Sequence, residues 1–100
     1  MINAKEEILE HISGRDVKLV RIAFRKGYDD YLKIEGSLSE VLPKLDFTYD
    51  NGYGGQGLYG FIWYSDGTWS DRGEYDGSEW WQHQVIPPID IPIGEDESGY

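Results

Sequence analysis

The chain has 100 residues, a length that fits one domain around one core, and it contains no cysteine, which excludes disulfides and thiolate metal sites. Aliphatic and aromatic residues make up 39% of it, above the range of disordered chains, and its formal net charge of −10 disfavours nucleic acid and anionic membrane surfaces as partners. That charge is segregated: up to residue 45 eight Lys/Arg balance eight Asp/Glu, whereas from residue 46 onward Arg72 alone faces eleven carboxylates.

The opening segment, Met1 to Glu7, has neither the basic nor the apolar stretch of an export signal, and no apolar run nears the roughly 18 residues of a membrane span. A cytoplasmic protein is expected. Asn3 followed by Glu6 resembles a helix-opening capping box. A first helix is predicted over 4–13, with Ile8, Leu9 and Ile12 on one face and Gly14 as its C-terminal cap. Asp16–Lys26 alternates Val20, Ile22 and Phe24 with Arg21, Ala23 and Arg25, the pattern of a strand with one wet face. Lys26-Gly27-Tyr28-Asp29-Asp30 is a turn, and Tyr31–Glu35 returns as a second strand with Leu32 and Ile34 inward.

Ser37-Leu38-Ser39-Glu40 is a second capping box, opening a helix that Pro43 limits to about two turns, with Leu38, Val41, Leu42 and Leu45 inward. Composition then changes. Between Phe47 and Trp81 lie 11 of the 15 aromatic residues. A short strand is expected at 47–49, and a loop at Asp50-Asn51-Gly52 and Gly54-Gly55-Gln56-Gly57. Ser65-Asp66-Gly67 and Asp76-Gly77-Ser78 mark tight turns between strands at Leu58–Tyr64, Thr68–Tyr75 and Glu79–Val85. Pro87 and Pro88 end strand pairing. The sum is an α+β fold: a small twisted antiparallel sheet, a meander in its C-terminal half, and one or two helices on one face. Residues 1–90 form one domain and 91–100 an extended or disordered acidic tail.

Chemistry is sparse. His11 is expected as a solvated helix histidine, and His83, after Trp80-Trp81-Gln82, has no nucleophile and orienting group readable around it. Glu74 with Asp76 or Glu79 is a carboxylate pair of the kind glycoside hydrolysis uses, in a half where carboxylates are common enough to pair by chance. Asp50-Asn51-Gly52 and Asp66-Gly67-Thr68 lack the ligand series of a calcium loop, and turn formation accounts for them. No enzyme activity, metal site or cofactor is expected. Strand parity puts Trp69, Asp71, Gly73 and Tyr75 on one side of a strand and Thr68, Ser70, Arg72 and Glu74 on the other. Adjacent Trp80 and Trp81 must face opposite ways. Arg72 is expected in an internal ion pair.

The hairpin Asp66-Gly67-Thr68-Trp69, followed by Arg-x-Glu-Tyr-Asp-Gly-Ser-Glu-Trp-Trp over 72–81 and a Pro-Pro exit, resembles a group of small bacteriophage- and prophage-encoded proteins. The likeness covers roughly residues 45–90 and brings no catalytic residues. It implies a host cytoplasm as the setting and an anti-defence role, such as anti-CRISPR inhibition, in which small acidic phage proteins block Cas effectors or restriction enzymes, in some cases by DNA mimicry. On that expectation Asp66, Asp71, Glu74, Asp76 and Glu79 meet a basic protein surface of a nucleic-acid-handling host protein, and Tyr75, Trp80 and Trp81 anchor the contact, with no direct nucleic-acid or membrane binding. An immunity or antitoxin protein, a self-associating phage component (a homo-oligomer) and a carbohydrate-binding module are the alternatives.

Overall fold

A computed structural model describes residues 1–50, 52 and 56–86. Most of the expected glycine loop, the strand-ending prolines and the tail at 91–100 lie outside the described residues. The chain runs β1 (Ile2–Asn3), α1 (Ala4–Ile12), β2 (Val17–Gly27), β3 (Asp30–Gly36), α2 (Leu38–Val41), a 3-10 turn at Leu42–Leu45, β4 (Thr48–Tyr49), β5 (Leu58–Tyr64), β6 (Trp69–Tyr75) and β7 (Ser78–Gln84). This is the α+β architecture expected from the sequence. Five strands form one antiparallel sheet in the order β3-β2-β5-β6-β7, and β1 pairs with β4 in a separate two-stranded ribbon. No helix among the described residues is long and apolar enough to cross a membrane.

Local chemistry sets the element ends. The Asn3 side chain accepts from the Glu6 N–H, capping α1. Its other end is closed by Ser13 at φ 48°, one residue ahead of the expected Gly14, which also lies at positive φ. Ser37 and Glu40 form a complete capping box. Beyond it Pro43 cannot donate an α-helical hydrogen bond, and the chain tightens into the 3-10 turn.

The core lies between one face of the sheet and the helical layer. α2 packs on β2 and β3, and α1 packs toward β7. Ile8 and Ile12 of α1 meet Val20, Ile22, Ile34, Leu58, Ile62 and Trp81 of the sheet in one buried cluster with Val41 and Leu45. Two expected core positions are exposed. Leu9 points off the buried stripe of α1, whose third buried residue is Ala4, and Leu32 sits near the turn end of the β2–β3 hairpin.

Within the sheet, register separates two faces. Val20, Ile22 and Phe24 of β2 pair with Ile62, Gly60 and Leu58 of β5, facing the helices, while Leu19, Arg21 and Ala23 pair with Trp63, Phe61 and Tyr59 on the face without helices. Gly60 is required by close approach: a Cβ there would lie 2.4 Å from the Arg21 carbonyl oxygen.

Candidate functional site

Residues 72–81 build a hairpin. Tyr75 pairs with Ser78 across Asp76-Gly77, whose φ angles of 53° and 87° are those of a type I′ turn. Arg72 and Glu79, diagonal neighbours on the helix-facing side of β6 and β7, form a buried ion pair at 2.7 Å. The Glu79 carboxylate also accepts from the Gly57 and Leu58 amides at 2.8 and 3.0 Å. Arg72 further donates to the Leu58 carbonyl, to Glu7 of α1 and to the Tyr49 hydroxyl, which itself donates to Glu7. Burial first, then the bond to Glu7, pushes the Tyr49 hydroxyl far above the ordinary phenol range. One arginine thus ties α1, β4, β5, β6 and β7 together, the internal role expected of it.

This packing corrects two of the expected contact residues. Glu79 and Trp81 are buried, the first held by Arg72 and two amides, the second between His11 and the Arg72 guanidinium, 5.0 Å from its ring centroid. Neither can meet a partner. The remaining acids do not share one surface. Asp66 sits in the β5–β6 turn, its carboxyl held below the usual range by the Thr68 hydroxyl and amide. Glu74 and Asp76 are at the opposite end of β6, and Glu74 accepts from the Gly77 amide. Asp71 lies between them on the face without helices, where its Oδ1 accepts from Gln82 and Gln84. The ends of β6 place Asp66 roughly 25–30 Å from Asp76 at about 3.3 Å per residue. Tyr75 and Trp80 are exposed, and Trp80 and Trp81 face opposite ways as expected.

Two surfaces emerge that the sequence did not single out. The first is the open face of the sheet, where Tyr31, Tyr59, Phe61, Trp63, Trp69 and Trp80 project from four of the five strands. Phe61 stacks on Trp63 at 5.5 Å, and Trp80 covers Gly73, where a Cβ would come within 2.6 Å of its indole nitrogen. A groove of about 660 Å³ over Ala23, between Lys33 and Tyr59, opens beside them. The legible signal was β5, Leu-Tyr-Gly-Phe-Ile-Trp-Tyr, which is apolar at both parities. The second surface is the end of the sheet that carries the β2–β3 and β6–β7 tips. Tyr28, 89% exposed, precedes Asp29 and Asp30 on one tip; Tyr75, 76% exposed, stands between Glu74 and Asp76 on the other. With strands about 4.8 Å apart the two tips are roughly 14 Å from each other.

The histidines are structural in placement. His11 is half-buried, not solvated: its Nε2 lies 2.7 Å from the Ser70 hydroxyl, which the Tyr64 hydroxyl also reaches at 2.7 Å, and Ser70 is wholly buried. His83 Nε2 meets the Thr68 hydroxyl at 2.9 Å. Glu74 and Glu79 stand opposite each other in register, but Glu79 is sealed against Arg72, so the pair offers no cleft to a sugar. Among the described residues no three His, Asp or Glu side chains converge as metal ligands. No family model, curated protein or solved structure matches the chain.

Proposed function

We propose that this protein is a non-enzymatic, acidic binding protein that inhibits a nucleic-acid-handling host protein by occupying its basic groove. The observation that carries this reading is the β6–β7 hairpin tip, where exposed Tyr75 stands between Glu74 and Asp76 with no cation beside them among the described residues; the β2–β3 tip at the same end of the sheet adds Tyr28, Asp29 and Asp30 next to the exposed Lys26. Tyrosine supplies contact area with little rotamer entropy to lose, and carboxylates flanking it select a basic rim and speed encounter with it. The β6–β7 tip is pre-organised by its type I′ turn and by the Glu74–Gly77 hydrogen bond, which lowers the ordering cost on docking. The sheet supports the same polarity. Across β5–β7 the only cation is Arg72, buried against Glu7 and Glu79, so the surface there exposes Asp66, Glu74 and Asp76 with no positive charge of its own. The resemblance of residues 45–90 to phage-encoded proteins adds the setting, in which Cas effectors and restriction enzymes are the basic targets to try. Since the acids are not aligned like a row of phosphates, the reading rests on charged tips seated in a groove and not on imitation of a duplex along its length.

A competition assay tests it. Purified Cas nucleases and restriction endonucleases, each loaded with labelled duplex DNA, are titrated with this protein at low and at moderate salt. Displacement of DNA from a target, weakened by salt and by the double variant Glu74→Gln/Asp76→Asn, is the expected result. Displacement that ignores both salt and the double variant removes the tips from the mechanism.

A further inference from the structure

We infer that the open face of the sheet is covered by a second copy of this chain, related by a two-fold axis running parallel to β5. The strand itself points to a cover. An antiparallel strand with one wet face alternates apolar and polar residues, whereas a run apolar at both parities belongs to a strand buried on both sides. In β5, Leu58, Ile62 and Tyr64 enter the core, and Tyr59, Phe61 and Trp63 form a second apolar row on the other face.

The cross-sheet rows identify the cover. In register, Glu35, Arg21, Phe61, Asp71 and Gln82 form one row over all five strands. Phe61 is its centre, with Arg21 one strand to one side and Asp71 one strand to the other. Within one copy these two charges are about 10 Å apart, two strand spacings, and among the described residues the side chain of Arg21 binds only the exposed Glu35. A two-fold axis through Phe61 along β5 exchanges the two halves of the sheet. It therefore sets Arg21 opposite Asp71 of the second copy, twice, with Phe61 on Phe61 between them. Both amide bonds to Asp71 go to Oδ1, and Oδ2 has no bond among the described residues. A two-fold axis across the strands would instead set β2 on β2, with Arg21 facing Arg21. The charges select the first arrangement.

Shape agrees with charge. The next row is Lys33, Ala23, Tyr59, Gly73 and Trp80, taking Gly73 as level with Tyr59 one step along from the Phe61–Asp71 pair. Its two halves are a hollow and a projection. Ala23, between Lys33 and Tyr59, floors the groove of about 660 Å³, and Trp80 lies flat over Gly73. The same axis lays the Trp80 ring of one copy over Ala23 of the other, beside the Lys33 ammonium, a cation–π placement. Aligned sheets cross at about 30°, which shifts partners one strand from the axis by only ~2.5 Å, within the reach of an arginine side chain. Five strands about 4.8 Å apart and seven residues long present roughly 550 Å² of projected face, so two copies cover on the order of 1,100 Å², the lower bound of a specific interface. Glu74 projects from the other face of the sheet and Asp76 from the turn at its end, so neither acid enters this contact.

Sedimentation equilibrium of the full chain from low micromolar to submillimolar concentration tests the inference, with three variants compared by circular dichroism for unchanged fold. The expected result is a species of twice the 11.5 kDa chain mass. Arg21→Asp alone and Asp71→Arg alone each raise the dissociation constant at least about tenfold, and the double reversal Arg21→Asp/Asp71→Arg restores association because the pair is re-formed across the axis. A chain that stays monomeric throughout the range overturns the inference. So does a dimer indifferent to the single reversals, or one that the double reversal fails to restore. Glu74→Gln/Asp76→Asn leaves self-association unchanged, so this result and that of the DNA competition assay fail independently.

Discussion

Arg72 Nη2 lies 2.7 Å from Glu79 Oε1, with 2% and 0% of the two side chains exposed, at the meeting point of five elements. A buried ion pair contributes little over an apolar replacement of the same shape, but removing one partner strands a charge in the core. Arg72→Ala leaves Glu79 with two amide donors and no cation, and is expected to cost about 3–5 kcal/mol. Against the roughly 5–15 kcal/mol stability of a typical domain that is a large fraction. Urea unfolding followed by tryptophan fluorescence measures it. A loss under about 1 kcal/mol would mean that the pair is not closed in solution.

The same pair shows how far the sequence could be read. Strand limits, capping residues and the meander were legible because each rests on local signals: Ser37 with Glu40 for a cap, Asp76-Gly77 for a type I′ turn, period-two alternation in β2. An internal role for Arg72 was legible from its isolation among acids. Its second partner, Glu7, was not, because 65 residues separate the two and only the packing of α1 over β6 brings them together. Two of the candidate contact residues fail for a related reason. Glu79 and Trp81 have the composition of an interface, and only register shows that they share a face with Val20 and Ile62. Asp66 and Asp76 are ten positions apart in sequence, and an extended strand puts them at opposite ends of the sheet. The open face was half-legible: parity groups Trp69 with Asp71 and Gly73 and turns Trp80 away from Trp81, but which side is open, and that Arg21 and Phe61 share it, follow only from strand order.

Two strand glycines respond differently to a methyl group. At Gly60 a Cβ would meet the Arg21 carbonyl oxygen at 2.4 Å and the Ile22 Cα at 3.1 Å, both backbone. Gly60→Ala therefore forces β2 and β5 apart, at a cost of about 2–3 kcal/mol. At Gly73 the obstacles are the Trp80 ring at 2.6 Å and the Gln82 Oε1 at 2.8 Å, both side chains that can turn away. Gly73→Ala is expected to cost less than about 1 kcal/mol, since alanine also removes the entropic penalty of a strand glycine. Melting temperatures of the two variants compare directly, and a Gly73→Ala loss as large as that of Gly60→Ala would refute the distinction.

Tyr49 connects the ribbon of β1 and β4 to the buried charges. Its hydroxyl donates to Glu7 and accepts from Arg72 Nη2 at 2.8 Å, and its ring is buried against Phe24. Tyr49→Phe keeps the ring and removes a hydroxyl bonded to two charged groups, for an expected loss of about 1.5–3 kcal/mol. The assay is again urea unfolding. A Tyr49→Phe protein as stable as the parent would show that water replaces the hydroxyl without penalty.

Acid is expected to weaken the fold at His11. Burial, then the positive charges of Arg15, His83 and Arg72, hold its pKa below the ordinary 6.5, while its ring stacks on Trp81 and its Nε2 meets the Ser70 hydroxyl. The unfolded chain therefore binds a proton at a higher pH than the folded chain. The neutral ring's contribution is full above the unfolded value of about 6.5 and declines as pH falls through the lower folded value. The urea midpoint is expected to drop on acidification from pH 7.5 toward about 5.5, before the carboxylates titrate. His11→Gln retains a group able to bond Ser70 but does not titrate, so its midpoint should stay level across the same window, at a lower value at neutral pH. If the glutamine variant keeps the parent's slope, His11 is not the acid-sensitive contact.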